Sequence, residues 1–98
     1  MYILVVNIIA NQKTVEVHAE RHRNWVKQCL QQGLFLAAGA RTDQRGGVIL
    51  AKSRDMGSLK KLLDEDIYVQ AKVAEYQIIT IDCKFTAPGY ENLLEDMV

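Results

Sequence analysis

The chain has 98 residues, 49% of them hydrophobic and 24% charged, with twelve basic and twelve acidic side chains. That length holds one folding unit, the composition excludes a disordered or fibrous protein, and balanced charge excludes the basic excess of many nucleic-acid binders. The apolar runs fall well short of the roughly 20 residues that cross a membrane, and no basic start precedes the first strand. The chain is therefore expected in the cytoplasm, with neither nucleic acid nor membrane as a partner.

Charge is nonetheless unevenly spread. Residues 1–54 carry eight Lys/Arg and three Asp/Glu, and residues 55–98 carry four and nine. The first explanation is mutual attraction of two interleaved halves. A second is a basic patch at Arg21, Arg23 and Lys27 that attracts an anion. Cys29 and Cys83 form neither a framework nor a CxxC motif, so both read as small buried hydrophobes in a reducing compartment.

Taken in order, residues 2–9 (Y-I-L-V-V-N-I-I) are aromatic and β-branched and predict a strand. Residues 14–32 follow a helical period, with Val15, Ala19, His22, Val26 and Cys29 on one stripe that Trp25 and Leu30 widen. Gly33 supplies the C-terminal stop. Residues 34–41 predict a second strand, T-D-Q-R-G-G a turn with a glycine pair, and G-V-I-L-A-K a third strand closing a hairpin. Ser53 or Asp55 can cap a second helix whose inner side is Met56, Leu59, Leu62 and Leu63. The acidic step at 64–66 interrupts that helix, I-Y-V-Q-A-K-V adds a short helical turn, and residues 75–85 predict a fourth strand. A domain over residues 1–85 is then followed by an acidic tail, 86–98, with Leu93, Leu94 and Met97.

The order βαββαβ is that of the ferredoxin-like α+β fold: a four-stranded antiparallel sheet with both helices on one face. Both faces of these strands are apolar. Tyr2, Leu4, Val6 and Ile8 oppose Ile3, Val5 and Ile9; Leu34, Leu36 and Ala38 oppose Phe35 and Ala37; Ile78 opposes Ile79 and Ile81. Two helices cover one face, and the other would expose more apolar surface than a monomer normally shows. A second copy of the chain is the simplest cover, so a homodimer is expected, with the tail as an additional clasp.

His18 and His22 are the only histidines. His22 lies on the apolar stripe, and His18 one turn earlier and nearer the helix edge, about 6 Å away. Three readings remain open: a core histidine bonded to its surroundings, a metal ligand, or a proton-transfer group. For metal, the spacing H-x-x-x-H suits two imidazoles on one side, but Ala19 stands where the protease motif places its glutamate. For proton transfer, Asp66 is the natural partner. It opens the turn I-Y-V, where a carboxylate caps free N–H groups, and beside His22 it would fix the imidazole tautomer.

Three segments, R-H-R-N-W, Q-Q-G-L-F-L-A-A-G-A-R and D-E-D-I-Y-V-Q-A-K-V, resemble the YCII-related (YciI-like) family of the dimeric α+β barrel superfamily. The resemblance spans roughly residues 2–85. The family's helix-one histidine falls on His22, its Ala-Gly-Pro glycine on Gly39, and its Asp-Pro-aromatic step on Asp66 and Tyr68; Ala40 and Ile67 stand in place of the prolines. The resemblance implies a homodimer with a His–Asp pair in a cleft and a fold similar to muconolactone isomerases, some relatives acting in lactone or dehalogenation chemistry.

No glycine-rich phosphate loop or dinucleotide fingerprint is present, and Cys29 lies about 10 Å along the helix from His22, too far for a nucleophile–base pair. The expected activity is therefore acid/base chemistry on an unknown small molecule, without metal or redox cofactor. His22 would transfer the proton, Asp66 would orient it, Gly39 would admit the substrate to the backbone, and Arg41 or Tyr68 would contact a polar or anionic ligand. The rival is a non-catalytic metabolite-binding or assembly module.

Overall fold

The computed structural model describes residues 1–52 and 54–94. The strands are β1 (Tyr2–Ile8), β2 (Phe35–Ala40), β3 (Gly46–Ala51) and β4 (Ala74–Thr80). The helices are α1 (Gln12–Gln31), α2 (Met56–Leu63) and a single turn, α3 (Ile67–Gln70), with a short 3₁₀ turn at Glu91–Leu93. The sheet order is β2-β3-β1-β4, and every neighbouring pair is antiparallel. This is an α+β ferredoxin-like sheet. Among the described residues no helix is long and apolar enough to cross a membrane.

Local chemistry sets the element ends. The Asn11 carboxamide accepts from Thr14 N at 2.9 Å and opens α1. Gly33, at φ 74°, lets the chain reverse so that Gly33 and Leu34 donate to the carbonyls of Leu30 and Cys29. Asp55 caps α2, accepting from Ser58 N at 2.9 Å, while the other candidate cap, Ser53, lies outside the described residues. Met97 of the tail also lies outside them.

Antiparallel register assigns each strand residue to a face. Leu4 stands between Ile49 and Ile78, and Val6 between Gly47 and Tyr76. Leu4, Val6 and Ile49, with Tyr2, Phe35 and Ala51, form one core with Cys29, Leu59, Leu62, Leu63, Tyr68 and Val73, and Tyr76 and Ile78 pack against it. Leu4, Leu59 and Val73 are completely buried. Ile3, Val5, Val48, Leu50 and Ile79 lie on the opposite face, where no helix covers them and Ile79 is exposed.

Several details differ from the sequence reading: Met56 is exposed rather than on the inner side of α2, Cys83 is only partly buried, and three differences concern the strands. β2 does not alternate as expected: its register slips between Phe35 and Ala37, so Phe35 (opposite Ala51) and Ala38 (opposite Ile49) share the helix side. A bulge adds a residue that period-two counting cannot anticipate. β4 ends at Thr80 rather than residue 85, because it pairs only with β1, whose first rung is Tyr2–Thr80; Ile81 N–H reaches Met1 O and the ladder stops. The glycine pair belongs to β3 rather than to the turn. A Cβ on Gly46, at φ 143°, would sit 1.8 Å from Val6 O, and one on Gly47 would sit 2.7 Å from Gly39 O. The turn itself is tied by Arg41 and Asp43, with Gln44 at φ 63°.

Candidate active site

Three elements converge under the middle of α1. His22 projects from the helix stripe, Asp66 sits at the α2–α3 junction, and Tyr76 rises from the core face of β4. Asp66 is completely buried and is the only buried charged residue among those described. Burial of a carboxylate is tolerable only when its lone pairs are filled. Here Oδ1 accepts from Tyr68 N at 3.0 Å and lies 2.8 Å from His22 Nδ1, while Oδ2 accepts the Tyr76 hydroxyl at 2.7 Å. The bond to Tyr68 N is also the N-cap of α3, so the acidic step seen in the sequence is a capping residue with a second task.

The imidazole is held in orientation as well as in place. Tyr68 stacks flat on it, with centroids 3.9 Å apart and planes within 1°. Trp25 flanks it at 6.2 Å and packs edge-on against Phe35. A carboxylate acceptor at Nδ1 makes that nitrogen the donor and leaves Nε2 as the basic one. His22 retains 15% side-chain exposure.

That exposure opens on a cleft of about 690 Å³ between α1 and the β2–β3 end of the sheet. The volume is that of small-molecule sites. Its floor is apolar: Val6, Ile8, Val26, Leu30, Ala38 and Ile49. Gly39, Arg41 and Tyr68 all line it, together with His22. Two of them do so differently from the expectation. Gly39 is opposite Val48, so its missing side chain would point to the uncovered face and only its backbone meets the cleft. The Arg41 guanidinium is already committed, to Asn7 Oδ1 and to Asp43 Oδ2, both at 2.6 Å. His18 is partly buried and does not line the cleft. Among the described residues, no three His, Cys, Asp or Glu side chains are gathered as metal donors.

Tyr76 was not legible as a site residue. In sequence it is one aromatic in an alternating strand, and only the register that sets it beside Val6 aims it at Asp66. Burial, then the charge and hydrogen bond of Asp66, push its hydroxyl far above the ordinary phenol range. Cys29 is pushed up to about 11 by burial, with Glu65 and Asp66 adding to it. Both groups are protonated when folded and ionise more readily unfolded. Their stabilisation is therefore complete below the ordinary thiol value of 9.0 and fades as pH rises through about 11 for Cys29, and beyond 10.0 for Tyr76. Urea titrations from neutral to alkaline pH should show stability falling across this window. Tyr76→Phe should flatten the part of that fall above the phenol value.

With this geometry described, the comparison with known families is direct. The YCII-related domain model matches residues 1–82, and the chain belongs to that family. No curated protein matches the chain.

Proposed function

We propose that the protein is a small-molecule enzyme that moves a proton with His22, isomerase- or lyase-like and without a redox cofactor, acting in the cytoplasm. One observation carries this reading: the 2.8 Å contact of His22 Nδ1 with a buried carboxylate that two further donors, Tyr68 N–H and the Tyr76 hydroxyl, hold in place. A core histidine needs only to satisfy its nitrogens. This one has one nitrogen tied to a buried anion and its ring on the wall of an apolar cleft, the arrangement that general acid/base catalysis uses.

The role of each group follows. Asp66 fixes the tautomer and compensates the positive charge that His22 acquires on taking a proton. Tyr76 and the Tyr68 N–H hold Asp66 in register, and the Tyr68 ring limits rotation of the imidazole. The cleft wall holds no serine, threonine or cysteine, and burial keeps the Tyr68 hydroxyl protonated above its ordinary range. Nε2 thus acts on the substrate itself or on a water, rather than by activating a hydroxyl or thiol nucleophile of the wall.

The test has two readouts. The imidazole ¹⁵N spectrum should show His22 protonated at Nδ1, and Asp66→Ala should release that preference. Hydrogen–deuterium exchange at acidic carbons of small lactones and carbonyl acids, followed by NMR, should reveal a substrate whose exchange falls by about 10²–10⁴-fold in His22→Ala. An Nδ1 found unprotonated, or exchange that survives the loss of His22, removes the acid/base assignment. Ligand-induced stabilisation with no His22-dependent exchange would favour the binding-module alternative.

We also infer that two copies pack through the uncovered sheet face. Supporting this, Ile3, Val5, Val48, Leu50 and Ile79 are contiguous across three strands, with Asn7, Glu75 and Gln77 beside them on the same face. An apolar centre with polar groups at its border is the usual composition of such an interface.

A further inference from the structure

The cleft described above has charges of one sign. Its wall carries Arg23, Lys27 and Arg41, and no aspartate or glutamate among the described residues. Arg41 is neutralised locally by Asp43. Arg23 and Lys27 take no hydrogen bond or ion pair among the described residues. They are four apart, hence neighbours one turn along α1 and about 6 Å apart at Cβ. Arg23 follows His22 directly and Lys27 follows Val26, so the two cations border the same groove into which the imidazole opens. Arg21, the third member of the sequence's basic cluster, does not line the groove. The uneven charge of the first half is thus partly spent at one place, beside an apolar floor.

We propose that the cleft binds a small organic anion with an apolar body, its charged group held between Arg23 and Lys27 and its hydrocarbon on Val6, Val26, Leu30 and Ile49. This deepens the acid/base reading and rests on it for the identity of the reacting end, which would lie at His22 Nε2. An Arg–Lys pair suits a carboxylate or a phosphate monoester equally, since both present oxygens to a forked guanidinium and a point-charge ammonium. A neutral molecule of the same shape gains only the apolar contact, and a cation is repelled. The two cations also favour the proton-transfer step: positive charge at the groove would offset the negative charge that builds up as His22 removes a proton.

Matched probes test this without a known substrate. Benzoate, phenyl phosphate and benzamide are titrated into the protein while the His22 and Val26 resonances are followed. Saturable shifts with benzoate or phenyl phosphate, absent or about tenfold weaker with benzamide, are expected, and the tighter anion names the headgroup. The double variant Arg23→Ala/Lys27→Ala should weaken anion binding by about tenfold or more. Arg21→Ala, which removes an equal charge from the same helix outside the groove, should leave it unchanged. Equal binding of benzamide and benzoate, no saturable shift with either anion, or an equal loss in Arg21→Ala would overturn the proposal. In His22→Ala the anion should still bind, so failure of the proton-transfer assignment and failure of the anion site are read separately.

Discussion

Asp66→Ala is expected to destabilise the fold by about 3–5 kcal/mol, a large share of what holds a domain of this size together. The side chain is fully buried and takes three donors from three elements: the imidazole on α1, the backbone N–H of Tyr68 on α3, and the hydroxyl of Tyr76 on β4. Removing it leaves the Tyr76 hydroxyl and the Tyr68 N–H in a dry site with nothing to accept them, and each such orphan costs about 1–3 kcal/mol. It also removes the cap of α3. Asp66→Asn keeps one acceptor oxygen but turns the other toward a donor as an amide, so a smaller loss is expected. Urea unfolding monitored at Trp25 gives the values. Tyr76→Phe combined with Asp66→Ala should cost less than the sum of the two, because both act through one hydrogen bond. A loss below about 1 kcal/mol for Asp66→Ala would mean that water replaces the carboxylate and that the three elements are not tied through it.

Val48→Asp should convert the proposed dimer to monomers while leaving the site intact. Val48 lies between Val5 and Gly39 in the register, central to the uncovered face. A carboxylate placed there must be dehydrated on pairing, and neither residue directly opposite it, Val5 or Gly39, supplies a cation. That penalty should weaken association by about a hundredfold or more. Light scattering at micromolar concentration should report two chains for the unaltered protein and one for the variant. Far-ultraviolet circular dichroism and the His22 ¹⁵N signals should match, because the substituted side chain points away from the helices. A monomer in the unaltered protein would show that water tolerates this face.

Much of the architecture could be read from periodicity. The α1 stripe through Val15, Val26 and Cys29 faces the core as its spacing demands, and Gly33 ends the helix where a positive φ is required. The pairing of His22 with Asp66 was anticipated as one of three readings, since a capping aspartate and an inward histidine both leave marks in sequence. What escaped was information carried between strands. The β2 bulge, the early end of β4 and the aim of Tyr76 depend on which residue stands opposite which, and no single strand encodes that. Gly46 and Gly47 show the same limit: their purpose is the backbone of Val6 and of Gly39, remote in sequence and adjacent only after folding. The occupied guanidinium of Arg41 belongs in this group, because Asn7, its partner on β1, is 34 residues away.

In the proposed reaction the carboxylate of Asp66 is keystone and chemist at once, whereas the imidazole is chiefly a chemist. A chain of this design with no reaction to perform would still be obliged to keep the aspartate merely to stay folded. Finding that acid in a relative therefore testifies to architecture, and only the ring across from it testifies to a reaction.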